Sequence, residues 1–213
     1  MESITAARAD PNQPDPAQHL IGVDPAMERV VVAAGPVALR PPQSDYFNAL
    51  ARAIVYQQLA GKAALAIHTR FAALFEGNPT AAAILQAEEA SLRACGLSVN
   101  KTTAIRDLAS KTSDGSVPLE RIEQLDDDEI IARLTMVRGI GRWTAEMFLI
   151  FQLRRPDVWP VDDFAVRKGY AIIHRLEQSP TPRVLQQLGE VYRPFRSAAA
   201  WYCWRANDTI LPE

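Results

Sequence analysis

The chain has 213 residues, 48% hydrophobic and 23% charged, with a formal net charge of −2. That length buries a sizeable core as one large domain or two small lobes, and no apolar run nears the roughly 20 residues that a membrane span needs. The opening residues Met1-Glu-Ser-Ile-Thr5 lack the basic and apolar regions of a signal peptide, so a cytoplasmic protein without membrane contact is expected. Two cysteines, Cys95 and Cys203, with no Cys-x-x-Cys, build neither a disulfide framework nor an iron–sulfur cluster. Three scattered histidines (His19, His68, His174) argue against zinc.

Residues 1–17 are polar and carry Pro11, Pro14 and Pro16, which predicts a disordered leader before a folded part over 18–213. Asp24-Pro25 is a helix cap with proline at the first helical position, and Gly35-Pro36 is the stop. Val30–Val32 reads locally as strand, but the helix signals on both sides outweigh it. Ser44 is placed to cap a helix with Phe47, Leu50, Ile54 and Val55 on one face, running into Gln57-Gln58-Leu59-Ala60-Gly61. A further amphipathic helix covers Lys62 to Phe75, ended by Gly77 and Pro79. Short helices follow around Thr80–Gln86 and Glu88–Cys95, then one from about Asn100 to Lys111.

Asp126-Asp-Asp-Glu129 is a capping box for the helix that leads to Gly139-Ile140-Gly141. The next helix runs from about Arg142 to Leu153 and stops before Pro156. Another begins at Asp163 or Phe164 and reaches about Arg175; Thr181-Pro182 starts the one after, and Pro194 precedes the last, Phe195 to Asn207. No stretch alternates with period two, no turn carries Asn-Gly, and there are no internal repeats. The fold is expected to be all-α, a two-lobed bundle of about ten short helices.

Three groups of residues could carry chemistry. Gly139 and Gly141 flank Ile140 in a turn too tight for side chains, where glycine permits positive φ and close approach of another molecule's backbone. The helix starting near Arg142 offers unpaired N–H groups and partial positive charge, suited to a phosphate. Charge is distributed to match: Asp114–Arg133 holds seven acidic residues against two arginines, whereas Arg138–Arg175 holds seven basic residues against four acidic. Asp162 and Asp163 open the following helix. One carboxylate suffices as a cap, so the pair leaves one to stabilise a positive sugar or orient a water. Among the tryptophans, Trp159 and Trp201 read as core. Trp143 and Trp204 lie beside arginines and suit a stacking pocket, which favours a positively charged base.

Leu134-x-x-Val-Arg-Gly-Ile-Gly-Arg-Trp-Thr-Ala145, followed by Val158-x-Pro-x-Asp-Asp163, resembles the helix-hairpin-helix DNA glycosylases, and more narrowly the 3-methyladenine DNA glycosylase II family of bacteria and yeasts. Supporting stretches are Ala53-Ile-Val-Tyr-Gln-Gln-Leu-Ala-Gly-Lys-Ala-Ala64, Gly96-Leu-Ser-x-x-Lys101 and Arg193-Pro-x-Arg-Ser-x-Ala199 before Trp204. The resemblance implies a compact form with the hairpin, about residues 134–153, at an interdomain cleft. It implies that Asp163 is the catalytic aspartate and that Asp162 serves local geometry. Trp143, Trp204, Met147 and Gln57 would line the base pocket, Met147 standing where some members carry a tyrosine.

Gln58, with Leu59 as alternative, would be the wedge that fills the duplex gap. Arg138, Gly139, Gly141 and Arg142 would hold the DNA backbone, and the carbonyls of Thr135, Val137 and Ile140 a structural Na⁺ or K⁺. No other cofactor is implied. The expected partner is double-stranded DNA with damaged bases, and the protein is expected to be monomeric. Lyase-active relatives carry a lysine where this chain has Trp143, so the expected activity is that of a monofunctional glycosylase. The alternatives are another lesion (hypoxanthine, an etheno adduct, a mismatched uracil) or a non-catalytic DNA-binding module.

Overall fold

The structure, a computed structural model, describes residues 15–43 and 45–209. Among them are twelve α-helices, three 3-10 turns and no strand, so the all-α expectation holds. The chain divides into two compact units: residues 15–40 with 154–209, and residues 41–153.

The first unit begins earlier than its sequence suggests. Asp15 accepts the N–H of Ala17, Pro16 takes the first helical position, and α1 runs Pro16–Val23 with Leu20 fully buried. The expected leader therefore gives way to a cap at Asp15 and to helix at its last two residues, because the proline that looks like disorder serves as a helix start. Residues 1–14 of that leader lie outside the described residues. Asp24 caps a 3-10 turn over Pro25–Met27, and α2 (Glu28–Ala34) ends at Gly35 with φ +72°. The chain returns at α10 (Phe164–Ile173), α11 (Pro182–Leu188), a 3-10 turn over Gly189–Tyr192, and α12 (Arg196–Ala206).

The core of this unit gathers on α12, which is buried on nearly every side (Ala198–Ala200, Trp201, Tyr202, Cys203, Ala206). A helix apolar all round belongs inside. It crosses α10 at a contact only glycine permits: a Cβ on Gly169 would lie 1.8 Å from the Cys203 carbonyl oxygen. Asn207 Nδ2 then donates to the carbonyls of Ala165 and Cys203, each at 2.9 Å, tying the same two helices together. Trp159 and Trp201 are core residues as expected, and the Trp159 indole donates to Leu185 O at 2.9 Å over Gly189.

One polar cluster is built into this core. Asp24 accepts the Tyr192 hydroxyl and the Ala26 N–H and lies 2.7 Å from His174 Nε2, while His174 stacks on Tyr170 with centroids 3.9 Å apart. Burial pushes the Asp24 carboxyl up, but the hydrogen bonds from Tyr192 and His174 prevail and hold it below its ordinary value.

The second unit holds α3 (Tyr46–Tyr56), α4 (Gly61–Ala73), α5 (Ala81–Gln86), α6 (Glu89–Ala94), α7 (Val99–Ser113), a 3-10 turn over Leu119–Gln124, α8 (Asp127–Thr135) and α9 (Arg142–Phe151). Ser44, expected to cap α3, lies outside the described residues. The cap observed is Asp45, which accepts the Asn48 N–H at 3.0 Å. Thr80, Ser98 and Asp126 cap α5, α7 and α8. The 3-10 turn at Leu119–Gln124 was not anticipated. It buries Leu119 and Ile122, three residues apart among acids, a spacing too short to register as helical periodicity.

Candidate functional site

The glycine turn follows from how α8 ends. The N–H groups of Val137 and Ile140 bond back to the carbonyls of Leu134 and Val137, and both side chains turn inward, 1% and 3% exposed. Gly139 sits between them at φ +80°, where a Cβ would meet Ala104 of α7 at 3.2 Å. Glycine is required there on both counts. Gly141 differs: its φ is −91° and nothing crowds it, so it needs no positive φ. It is the N-cap of α9 and makes no side-chain cap, which leaves the first turn of α9 presenting its backbone N–H groups. Gly139 and Gly141 are both exposed.

The flanking arginines have separate surroundings. Arg142 pairs through Nε with Glu146 at 2.9 Å yet remains largely exposed. The Arg138 side chain is exposed, while its backbone N–H donates to Asp107 Oδ2 at 2.7 Å. Burial raises Asp107, but the Arg138 N–H and Lys111 outweigh it and hold the carboxyl below its usual value. On α9, Trp143 is 48% exposed and Met147, one turn later on the same face, is half-buried.

The loop after α3 carries Gln57, Gln58 and Leu59. Gln58 is exposed in the left-handed region at φ +55°, uncommon for a residue with a side chain, and Leu59 is exposed beside it. Gln57 donates its carboxamide N–H to the Gly139 carbonyl at 2.9 Å, so the structure places it against the hairpin. Lys101 Nζ donates to the carbonyls of Val55 and Gln57 at 2.8 and 2.7 Å, closing the C-terminal end of α3.

Asp163 and Trp204 belong to the other unit. Asp163 is the N-cap of α10, its Oδ1 accepting the Val166 N–H at 2.9 Å, and it is 8% exposed; Asp162 is exposed. The sequence pair therefore splits into one buried acid and one solvated one. The chain leading to Asp163 is pinned to the start of α12. Ser197 Oγ accepts the Val158 N–H at 2.9 Å and donates to Arg155 O at 2.7 Å, and Ser197 N–H donates to Pro156 O. The nearly buried Arg196 grips Asp157 through Nε at 2.7 Å and through Nη2, and Arg193 reaches the same carboxylate at 2.6 Å. Trp204 lies on α12, partly buried against the core, on the helix that Gly169 brings against α10.

Two features escaped the sequence reading. Phe164, directly after Asp163, is 65% exposed with the Arg167 guanidinium 5.7 Å from its ring centroid. Asp107 lies in mid-helix, where an acid carries no local signal of the turn it holds.

Residues 51–194 match the family described as HhH-GPD superfamily base excision DNA repair protein. DNA-3-methyladenine glycosylase 1 of Schizosaccharomyces pombe is 41% identical over 196 residues, covering 89% of this chain and 85% of that protein. Among solved structures, the S. pombe 3-methyladenine DNA glycosylase in complex with abasic DNA is similar at a TM-score of 0.78 with 40% identity, covering 90% of this chain and 95% of that one. A DNA-3-methyladenine glycosidase from Bacillus halodurans is similar at a TM-score of 0.84 with 30% identity, covering 92% and 89%. With the hairpin and the capping aspartate in place, the chain belongs to the HhH-GPD superfamily of base excision DNA repair proteins.

Proposed function

We propose that the protein is a monofunctional DNA glycosylase that excises alkylated purines, 3-methyladenine and 7-methylguanine, from duplex DNA by hydrolysis of the N-glycosidic bond. The observation that carries this reading is the pairing of a buried, helix-capping Asp163 with 41% identity to a DNA-3-methyladenine glycosylase across most of both chains. The exposed backbone of the hairpin and first turn of α9, with Arg138 and Arg142, holds the lesion strand by its phosphates, contacts that position without reading sequence. Gln58, or Leu59, enters the gap as the damaged base is extruded. Extrusion costs a few kcal/mol, least for weakened pairs, which contributes to selectivity.

N3- or N7-alkylation makes the purine cationic, so its glycosidic bond is labile and its ring favours aromatic faces; Trp143 and Trp204 offer such faces. Asp163 stabilises the positive charge that develops on the sugar and assists attack by water. Water adds its oxygen to the anomeric carbon and releases a proton through Asp163 to solvent, the cationic purine takes the bonding electron pair and leaves as the neutral base, and an abasic site remains in an intact strand. Hydrolysis by this route calls on no redox or organic cofactor.

The carbonyls of Thr135, Val137 and Ile140 belong to the segment from the end of α8 to the start of α9, and that of Val137 accepts the Ile140 N–H with a lone pair to spare. Such an all-oxygen set suits Na⁺ or K⁺, which would add positive charge beside the phosphate. Met147 supports a second reading on lesion range. A flexible thioether at a half-buried position adapts to more than one base, so hypoxanthine or an etheno adduct belongs on the substrate panel. A non-catalytic binding module would use Asp163 only as the cap of α10, a role that the asparagine variant keeps.

The test is Asp163→Asn, which keeps a side-chain oxygen to accept the Val166 N–H. Excision is expected to fall roughly a hundredfold or more, with affinity for a duplex bearing a tetrahydrofuran abasic analogue retained. Full excision by this variant would refute the assignment.

A further inference from the structure

The resemblance assigns Gln57 to the base pocket, but its carboxamide nitrogen is committed to the hairpin carbonyl of Gly139. That bond joins two segments 82 residues apart in sequence, the loop that carries Gln58 and the turn that carries Gly139. Both segments are also held by one helix. Lys101, in the first turn of α7, donates to Val55 O and Gln57 O and so fixes where α3 ends and the loop begins. Ala104, one turn on, meets Gly139 from below, and Asp107, a further turn on, accepts the Arg138 N–H. Positions 101, 104 and 107 recur at helical spacing, so one side of α7 acts as a common rail for loop and hairpin. Gln58 has its left-handed backbone between these fixed points. Such a conformation persists where surrounding structure over-determines it.

We propose that Gln57, Lys101 and Asp107 are positioning residues that brace the 57–60 loop to the hairpin, so that the grip on the phosphates and the insertion of Gln58 into the duplex are one event. Gln57 then acts through Gly139 and the loop. The brace makes the loop rigid before DNA arrives, so its ordering cost is met in folding and does not weaken binding. It also predicts what the damaged base cannot influence. A brace matters equally for every lesion, and matters as much for a site with no base at all.

The inference rests on the glycosylase reading, and its test uses a probe without a base. Gln57→Ala removes the donor; Gln57→Glu keeps the size but offers a carboxylate that cannot donate to Gly139 O. Lys101→Met removes both bonds to α3 and is compared at matched folded fraction, with the Gln57 variants as independent probes. Affinity for a tetrahydrofuran-containing duplex is expected to fall about tenfold in each Gln57 variant, the scale of one lost well-placed hydrogen bond. Excision of each lesion is expected to fall by a common factor. The double variant Gln57→Ala with Lys101→Met is expected to bind no worse than Lys101→Met alone, because both remove the same brace.

In the free protein, amide exchange over residues 134–141 is expected to quicken in the Gln57 variants. Unchanged affinity for the baseless duplex, with an excision loss that varies from lesion to lesion, would overturn the proposal and return Gln57 to the base pocket. If the native protein released no base, the glycosylase reading would fail. Unchanged exchange over 134–141 would overturn the brace independently, since that measurement needs neither DNA nor activity.

Discussion

At the scale of the residue, the chemistry divides between two aspartates that the sequence presents as equals. Asp163 is buried and takes the cap of α10, while Asp162 is exposed. The difference arises because the segment from Arg155 to Val158 is clamped by Arg196 and Ser197, which sets the entry of the chain into α10. Sequence spacing makes Asp163 legible as an acid at a helix start; the clamp on the chain before it comes from Arg196 and Ser197, more than thirty residues away. Gln57 shows the same limit. Its place in the loop is legible, but its bond to Gly139 crosses 82 residues and has no local signature.

Trp143 bears on whether the strand is cut. An indole has no amine to form a Schiff base with the opened sugar, so wild-type protein should give no covalent protein–DNA adduct when borohydride is added during turnover. An adduct on a gel would mean that another amine acts as nucleophile and the enzyme cleaves the strand.

At the scale of the element, caps and stops were the most readable features. Asp24, Thr80, Asp126 and Thr181 each cap the helix or turn that follows, because a short polar side chain before an apolar run answers a need local to the helix end, whereas the cap at Ser98 starts α7 one residue before the expected Asn100. What the pattern hides is how helices meet. Gly169 looks like a helix weakness, yet its missing side chain is what lets α12 pass at the Cys203 carbonyl. A methyl group 1.8 Å from that oxygen cannot be accommodated without moving a helix backbone. Gly169→Ala should therefore lower unfolding free energy by about 3 kcal/mol, despite the better helix propensity of alanine. Urea denaturation measures this directly. A neutral or stabilising result would mean that α10 and α12 are more loosely packed than the glycine contact implies. Because these helices carry Asp163 and Trp204, activity at low temperature should also fall in the folded fraction.

At the scale of the molecule, a net charge of −2 conceals an uneven distribution, and the basic stretch from Arg138 to Arg175 matters more for a polyanionic partner than the total. Acid stability follows from specific groups. Asp24 is held below its ordinary value of 3.8, mainly because the hydrogen bonds from Tyr192 and His174 overcome burial. Its ionised form therefore contributes stability that is complete above the unfolded pKa and is lost as pH falls through the lower folded one. Urea midpoints should drop steeply as pH falls below about 4, and Asp24→Asn should be less stable at neutral pH but flatter across that range. An equally steep profile in Asp24→Asn would assign the acid loss to other carboxylates.

If this protein excises bases from alkylated DNA, the free base and the intact strand are both directly observable. The measurement is incubation of the protein with methylated duplex DNA, followed by chromatography of the released bases and a denaturing gel of the strand. The expected result is free 3-methyladenine and 7-methylguanine with the strand intact until alkali is added, and no release from unmethylated duplex. Tight binding to the duplex with no base released from the methylated DNA would contradict it.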